Sequence, residues 1–186
     1  MHRPDFRRFP HALMLVACAD GLSSAGRLHG EHKIVDMNAF ALRPGAEGDR
    51  DAIAALWHAS ASLPGVGPAL MPTQREMLER VDLELAGGWD VTVAAVGGRL
   101  IGFIALKPKE AVLDQLFVHP GSLGFGVGRA LLAHAIRTMP CGFTLFTRSA
   151  NGKAMRFYER EGLVRIGEGG HPKTGDPITH YAWKVR

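Results

Sequence analysis

Val118-His119-Pro120-Gly121-Ser122-Leu123-Gly124-Phe125-Gly126-Val127-Gly128-Arg129-Ala130-Leu131-Leu132 changes character twice. The apolar run 112–118 leads into it and reads as a strand, which Pro120 stops. Glycines then dominate. From about 126 to 139, Leu131, Ala135 and Met139 recur at helical spacing. Strand, glycine turn and helix in that order leave bare main chain where the helix begins. The first helical N–H groups point outward there and the helix dipole favours negative charge, so a phosphate or pyrophosphate is the chemical inference. A tight strand-to-helix turn that needs glycine for geometry alone is the plainer alternative. A P-loop is excluded because no Gly-Lys-Ser/Thr follows. A dinucleotide fingerprint is excluded because Leu131 stands where its third glycine belongs.

Working outward, residues 39–43 read as a short strand closed by Pro44-Gly45. Asp49 is placed to cap a helix to about Ser60, with Ile53, Leu56 and Trp57 on one face. Residues 63–72 hold Pro64, Gly65, Gly67, Pro68 and Pro72, and so form a loop. Thr73 with Glu76 predicts a capping box on a second helix, which Gly87-Gly88 ends. Runs 91–96 and 100–106 flank Gly97-Gly98-Arg99, the pattern of an antiparallel hairpin. After the glycine turn and its helix come a strand at 143–147, a helix at 152–161, and strands at 163–167 and 179–184. The order β-α-α-β-β-β-α-β-α-β-β is mixed α/β. Only the later strand–helix–strand unit is able to form a parallel crossover.

Downstream, Asn151-Gly152-Lys153-Ala154-Met155-Arg156-Phe157-Tyr158-Glu159-Arg160-Glu161-Gly162-Leu163 completes a pair. The glycine turn resembles motif A of the GNAT-type N-acetyltransferases, Arg/Gln-x-x-Gly-x-Gly/Ala, with Gly126 and Gly128 on its glycines. The second stretch resembles motif B of the same family. Order and spacing agree from about Phe40 to Lys184. The resemblance implies a mixed, mostly antiparallel central sheet, splayed at the cofactor site and flanked by helices. It implies acetyl-CoA as co-substrate and direct acetyl transfer to an amine. Leu123 replaces the family's Arg or Gln, and Phe125 occupies a position that is often basic. The pyrophosphate is then left to the backbone of Leu123, Gly124, Phe125, Gly126, Val127 and Gly128, with Arg129 adding charge.

The resemblance also assigns roles along the reaction. A backbone N–H near Phe117 or Val118 polarises the thioester oxygen. Tyr158 corresponds to the family's acid for the leaving sulfur; a core aromatic on an amphipathic helix is the other reading. Asn151 corresponds to the pantetheine contact and also suits a helix N-cap. For the base, Asp114 is the candidate, because alternation places 114, 116 and 118 on one face. Its rivals are a turn-orienting role or an ion pair with Lys109, and His119 is a weaker base. Trp57 and residues 63–71 are candidates for the acceptor wall.

The chain has 186 residues, 46% hydrophobic and 22% charged, with a formal charge of +4. That suits one globular domain and excludes a mainly disordered chain. Two cysteines, Cys18 and Cys141, exclude a disulfide scaffold. No metal site is expected: His29-Gly30-Glu31-His32 lacks a third ligand. Basic residues are dispersed among acids, unlike a nucleic-acid face. No apolar run reaches the roughly 18–20 residues that span a bilayer. Residues 1–37 are expected to form a poorly ordered extension ahead of a domain at 38–186, with Met37 a natural alternative start. Arg3, Arg7 and Arg8 before the apolar run 12–19 give that extension the outline of a signal peptide. Otherwise the location expected is cytoplasmic. The partner expected is a small-molecule or peptide amine, without nucleic acid or membrane, and a homodimer through sheet edges is compatible. A non-catalytic acyl-CoA sensor of the same fold is the alternative function.

Overall fold

The structure, a computed structural model, describes residues 40–183. The extension, its signal outline, Met37 and Lys184 lie outside the described residues. In chain order the elements are β1 (Ala41–Pro44), α1 (Arg50–Ala61), α2 (Gln74–Ala86), β2 (Asp90–Val96), β3 (Arg99–Lys107), β4 (Val112–Val118), α3 (Val127–Thr138), β5 (Phe143–Arg148), α4 (Gly152–Arg160), β6 (Val164–Gly170) and β7 (Pro177–Trp183). The strands form one seven-stranded sheet in the order β1-β2-β3-β4-β5-β7-β6. Every neighbouring pair is antiparallel except β4 with β5, the crossover through α3.

Local chemistry accounts for these elements. Gly97 and Gly98 both adopt left-handed φ, as a two-residue hairpin turn requires. Thr73 and Glu76 close the predicted capping box, at 3.3 Å from Glu76 N–H to Thr73 Oγ1 and 2.7 Å from Thr73 N–H to Glu76 Oε2. Asp49 stands at the N-cap of α1 as expected, but its side chain makes no capping bond. A short 3-10 turn at Glu47–Asp49 already makes its backbone helical. Its carboxylate instead binds Arg43 at 2.6 and 2.8 Å and accepts from the Ala46 N–H.

Two apolar clusters cover the two faces of the sheet. Under α3 and α4 lie Ile104, Leu113, Leu116, Val118, Leu145 and Tyr158. Under α1 and α2 lie Trp57, Val81, Phe103, Phe117 and Phe146. Gly102 allows α3 to sit close on β3, since a Cβ there would stand 2.9 Å from Val127 Cγ1.

One irregularity corrects a sequence expectation. Ala105 pairs with Gln115, yet Leu106 pairs with Leu113, so Asp114 is an extra residue in β4. A bulge of this kind breaks strict alternation. Leu113, Leu116 and Val118 share the α3/α4 face, whereas Asp114 turns to the opposite face and meets Trp89. Residues 114, 116 and 118 therefore do not share a face.

Candidate active site

β4 and β5 are joined by one ladder pair, Val112 with Thr144. The Thr144 N–H also donates to the Ala111 carbonyl at 2.9 Å. No further ladder pair joins them, so the strands part toward Val118 and Arg148 and the sheet opens a gap.

The register on the other side of β4 shows which amides face that gap. The His119 N–H donates to the Ile101 carbonyl at 2.9 Å, and Phe117 pairs with Phe103. Hydrogen-bonded and non-bonded pairs alternate in an antiparallel ladder. Phe117 therefore uses its amide on β3, while Leu116 and Val118 present theirs to the gap. Of the two expected backbone donors, Val118 has the facing geometry and Phe117 contributes a ring to the opposite core. Ser60, fully buried on α1, donates to the Val118 carbonyl at 3.0 Å. This bond ties α1 to the rim of the gap.

The glycine turn stands at the open end. Gly124 and Gly126 adopt φ of +85° and +78°, where an L side chain is strained. Gly126 is the N-cap of α3, and nothing lies within 4 Å of where its Cβ would be. The first-turn N–H groups, at Val127, Gly128 and Arg129, have no intrahelical acceptor and open outward. At Gly128 a Cβ would make only ordinary contact, 3.7 Å from Phe157 and Val118, so neither packing nor backbone conformation demands glycine there. Leu123 is extended and half-buried, and Phe125 is 44% exposed. Arg129, expected to add charge, instead binds Glu161 at 3.0 Å. The turn's electrostatics are therefore those of its main chain.

α4 supplies the other wall. Asn151 is buried and accepts from the Ala154 N–H at 3.1 Å, the N-cap expected of it. It lines a cavity of about 350 Å³ with Leu123 and Arg156, roofed by Leu63, Pro64 and Val66. The 63–72 loop thus lines one cavity with Leu123 and the start of α4. Gly65 makes that approach possible, since a Cβ there would lie 2.8 Å from the Ala150 carbonyl oxygen. Two turns along α4, Tyr158 is fully buried with Phe157 and Tyr181, at ring-centroid separations of 5.2 and 5.7 Å. It shares its apolar cluster with Leu116 and Val118.

Asp114 lies on the other face. Trp89 Nε1 donates to its Oδ2 at 2.5 Å, and its Oδ1 is buried without a hydrogen-bond partner. Burial pushes its pKa up to about 6, against the pull of Lys107 and the Trp89 hydrogen bond. Lys107, rather than the expected Lys109, is its cationic neighbour, and Lys107 is itself bound to Glu84 at 3.1 Å. His119 is a turn residue whose Nδ1 accepts from the Gly121 N–H. Trp57, expected in the acceptor wall, is 1% exposed and belongs to the core under α1 and α2.

Ser60 is not among the site residues the sequence suggests, because it lies on α1, 58 residues from Val118, and no local spacing links the two.

The acetyltransferase (GNAT) family model matches residues 54–163. A mycothiol acetyltransferase of Thermobispora bispora is 30% identical over 118 residues, covering 63% of this chain and 39% of that protein. The peptidyl-lysine N-acetyltransferase YjaB of Salmonella typhimurium is 31% identical over 77 residues, covering 41% of this chain and 51% of that protein. The chain thus spans about half or less of the length of these curated relatives. A GCN5-related N-acetyltransferase structure from Rhodopseudomonas palustris superposes with a TM-score of 0.66 at 20% identity, covering 83% of this chain and 99% of that one, which shows the shared fold. The matched residues run from α1 through α4 and include both walls of the β4–β5 gap, and the chain belongs to the GNAT acetyltransferase family.

Proposed function

We propose that this chain is an N-acetyltransferase that moves an acetyl group from acetyl-CoA to an amine by direct attack. The observation that carries the reading is the parallel β4–β5 pair held by one bridge, which turns the Leu116 and Val118 amides toward an open gap with the glycine turn at its mouth. The donor fits these residues. Gly126 offers left-handed backbone with open space where a Cβ would be, and the first turn of α3 offers outward N–H groups to a pyrophosphate. Leu123, Gly124, Phe125, Val127 and Gly128 complete that cradle, and Asn151 faces the adjoining cavity.

When bound, acetyl-CoA supplies an activated acyl carbon and a thiolate leaving group. The chain's own groups then fill three roles. The Val118 N–H stabilises the carbonyl oxygen as it gains charge, without reorganisation. Tyr158 gives its phenolic proton to the sulfur as the C–S bond breaks. Asp114 receives the proton that the amine releases as the C–N bond forms. Four residues of strand separate Asp114 from Val118, about 13 Å at the usual rise, so this proton travels through water. The unpartnered Oδ1 is the atom that receives it. An amine with a pKa near ~10.4 is mostly charged at neutral pH and must bind as its free base; once it attacks, its nitrogen becomes far more acidic, and a carboxylate with a pKa near 6 can take the proton it sheds.

The test pairs calorimetric titration of acetyl-CoA with a free-thiol assay over a panel of amine acceptors. The expected result is binding together with turnover on at least one amine. Binding without turnover across amino acids, polyamines and lysine peptides would favour the sensor reading. Absence of binding would reject the assignment.

A further inference from the structure

Toward the Arg148 end of the face opposite the glycine turn, two arginines stand with a single ion-paired carboxylate. Arg148 is the last residue of β5, and its side chain is 7% exposed. One nitrogen is ion-paired with Asp176, while its Nε is buried without a hydrogen-bond partner. Arg80, on α2, lays its guanidinium 5.2 Å from the centre of the Trp57 ring. Its Nε is also buried without a partner, and it has no carboxylate at ion-pair distance among the described residues. Both arginines lie near enough to His171 to act on its charge. Burial first, then Arg148 and Arg80, depress its pKa to about 4, so it adds no charge at neutral pH. Its Nδ1 accepts from the Lys173 and Thr174 amides at 3.2 and 3.0 Å, which leaves the proton on Nε2 as a donor. Of the two guanidinium groups, only that of Arg148 is ion-paired among the described residues, and its carboxylate partner Asp176 also accepts from Thr174 Oγ1.

The register places this excess charge beside the reacting end. Counting from the Val112–Thr144 bridge, and allowing for the extra residue at Asp114, Arg148 lies level with Phe117. Trp57, under Arg80, packs on Phe117 at 5.8 Å between ring centroids. Phe146, near Arg148 in β5, packs on His171 at 5.8 Å. The cationic cluster therefore borders the gap on the α1/α2 face, next to Val118. Arg80 is half-buried without a carboxylate partner among the described residues and Arg148 keeps a buried Nε unpartnered, and a guanidinium fork matches a carboxylate.

The geometry points to a carboxylate-binding subsite formed by Arg80, Arg148 and His171, so that the acceptor is an amino-acid-like amine carrying its own carboxylate. This inference rests on the acetyltransferase reading and names the substrate class for it. The subsite holds the carboxylate on the α1/α2 face while the amine reaches the gap beside Val118. A lysine side chain within a protein offers no carboxylate near its amine and would leave the arginines unmatched.

The test compares amino acids with their amides as acceptors, at saturating acetyl-CoA, by thiol release. A short peptide with a free C-terminus, in its acid and amide forms, separates a free amino acid from a peptide end. The expected kcat/KM favours the acid of the best pair by about tenfold or more, the range for a charged hydrogen-bonding partner. Arg80→Gln is expected to bring that ratio below about threefold. The thermal shift caused by acetyl-CoA should be unchanged in this variant. Removing the ion pair as a unit, by Arg148→Gln with Asp176→Asn, tests the second cation without leaving a lone carboxylate. A second arm needs no turnover: N-acetyl amino acids and their amides are titrated into the CoA-saturated protein by calorimetry. Equal handling of acids and amides, or a preference that survives Arg80→Gln, would overturn the inference. If acetyl-CoA shifts the melting temperature but acids and amides bind alike, the subsite fails and the acetyltransferase reading stands. If acetyl-CoA gives no shift, that reading fails too.

Discussion

The two faces of the sheet present different chemistry to the same gap. Under α3 and α4 the side chains are mainly apolar, and the polar groups offered to a ligand belong to main chain, in the glycine turn and at Val118. Under α1 and α2 an apolar cluster is bordered by Asp114, Lys107, Glu84, Arg80, Arg148 and His171. A ligand held by backbone needs a local conformation, and local conformation is written in consecutive residues. A ligand held by side chains needs groups from distant segments, and those are assembled only by folding. The first face is accordingly suited to a constant donor, and the second to a particular acceptor.

The largest effect expected is on the charged face. Asp114→Asn should lower kcat by about 10²-fold or more, the contribution of a general base. In the parent protein kcat/KM should rise with pH through about 6 and then level, following the carboxylate. Stability moves the opposite way. Folding raises the Asp114 pKa from 3.8 to about 6, so its stabilising contribution is full below the unfolded value and is lost as pH rises through the folded one. Over that window the cost amounts to about 3 kcal/mol. Asp114→Asn, which can still accept from Trp89, should be more stable than the parent in urea at a pH of about 7.5 and no more stable near a pH of about 3.5. A variant that keeps full kcat would show that the charged face has no part in proton transfer.

On the apolar face, Tyr158→Phe removes a hydroxyl and keeps the ring packing on Phe157 and Tyr181. We expect kcat to fall about 10- to 100-fold, the low end for a general acid, because a thiolate leaves fairly well unaided. Acetyl-CoA affinity should stay within about twofold, since a neutral hydroxyl adds little net binding energy. Full kcat under rate-limiting chemistry would make Tyr158 a packing residue, and all proton chemistry would then fall to the charged face.

Most of the fold was legible because its determinants are local. The Gly97-Gly98 turn, the Thr73–Glu76 capping box and the strand–glycine–helix unit each occupy a few consecutive residues, and each forms where expected. Asp114 was misplaced because one extra residue in β4 inverts the alternation, and a bulge depends on the partner strand. Asp49 holds the N-cap position expected of it, but a 3-10 turn before α1 gives its carboxylate to Arg43 instead of the helix amides. Arg80, Arg148 and His171 went unread for a different reason. They come from α2, β5 and the β6–β7 connection, and neither period nor motif links them.

A smaller effect is expected where backbone alone acts. Gly126→Ala introduces a Cβ into open space, so its cost comes from a left-handed φ of +78° rather than from a clash. That strain is about 1–2 kcal/mol. Part of it should appear as a lower melting temperature. The rest should appear as coenzyme A affinity weakened about tenfold, as the turn relaxes away from its cradle geometry. Normal affinity in a folded variant would move the pyrophosphate elsewhere and remove the premise that one face works through main chain.

The smallest effect tests whether side chains can be added to that face. Leu123 is half-buried, extended, and lines the cavity beside Asn151 and Arg156. It also packs against the α3/α4 cluster, so replacing it sacrifices some apolar contact. Leu123→Gln keeps nearly the same volume and adds an amide donor at the turn. One hydrogen bond contributes about 0.5–1.5 kcal/mol net, and lost burial of the side chain offsets part of it. Coenzyme A should therefore bind only about two- to fivefold tighter by calorimetry, within that range. Pantetheine, which has no pyrophosphate, should bind the two proteins alike. A gain for both ligands would mean that the introduced amide acts on the pantetheine channel instead. A loss for coenzyme A would mean that Leu123 stabilises the turn by packing, so that its backbone donors depend on an apolar side chain to hold their aim.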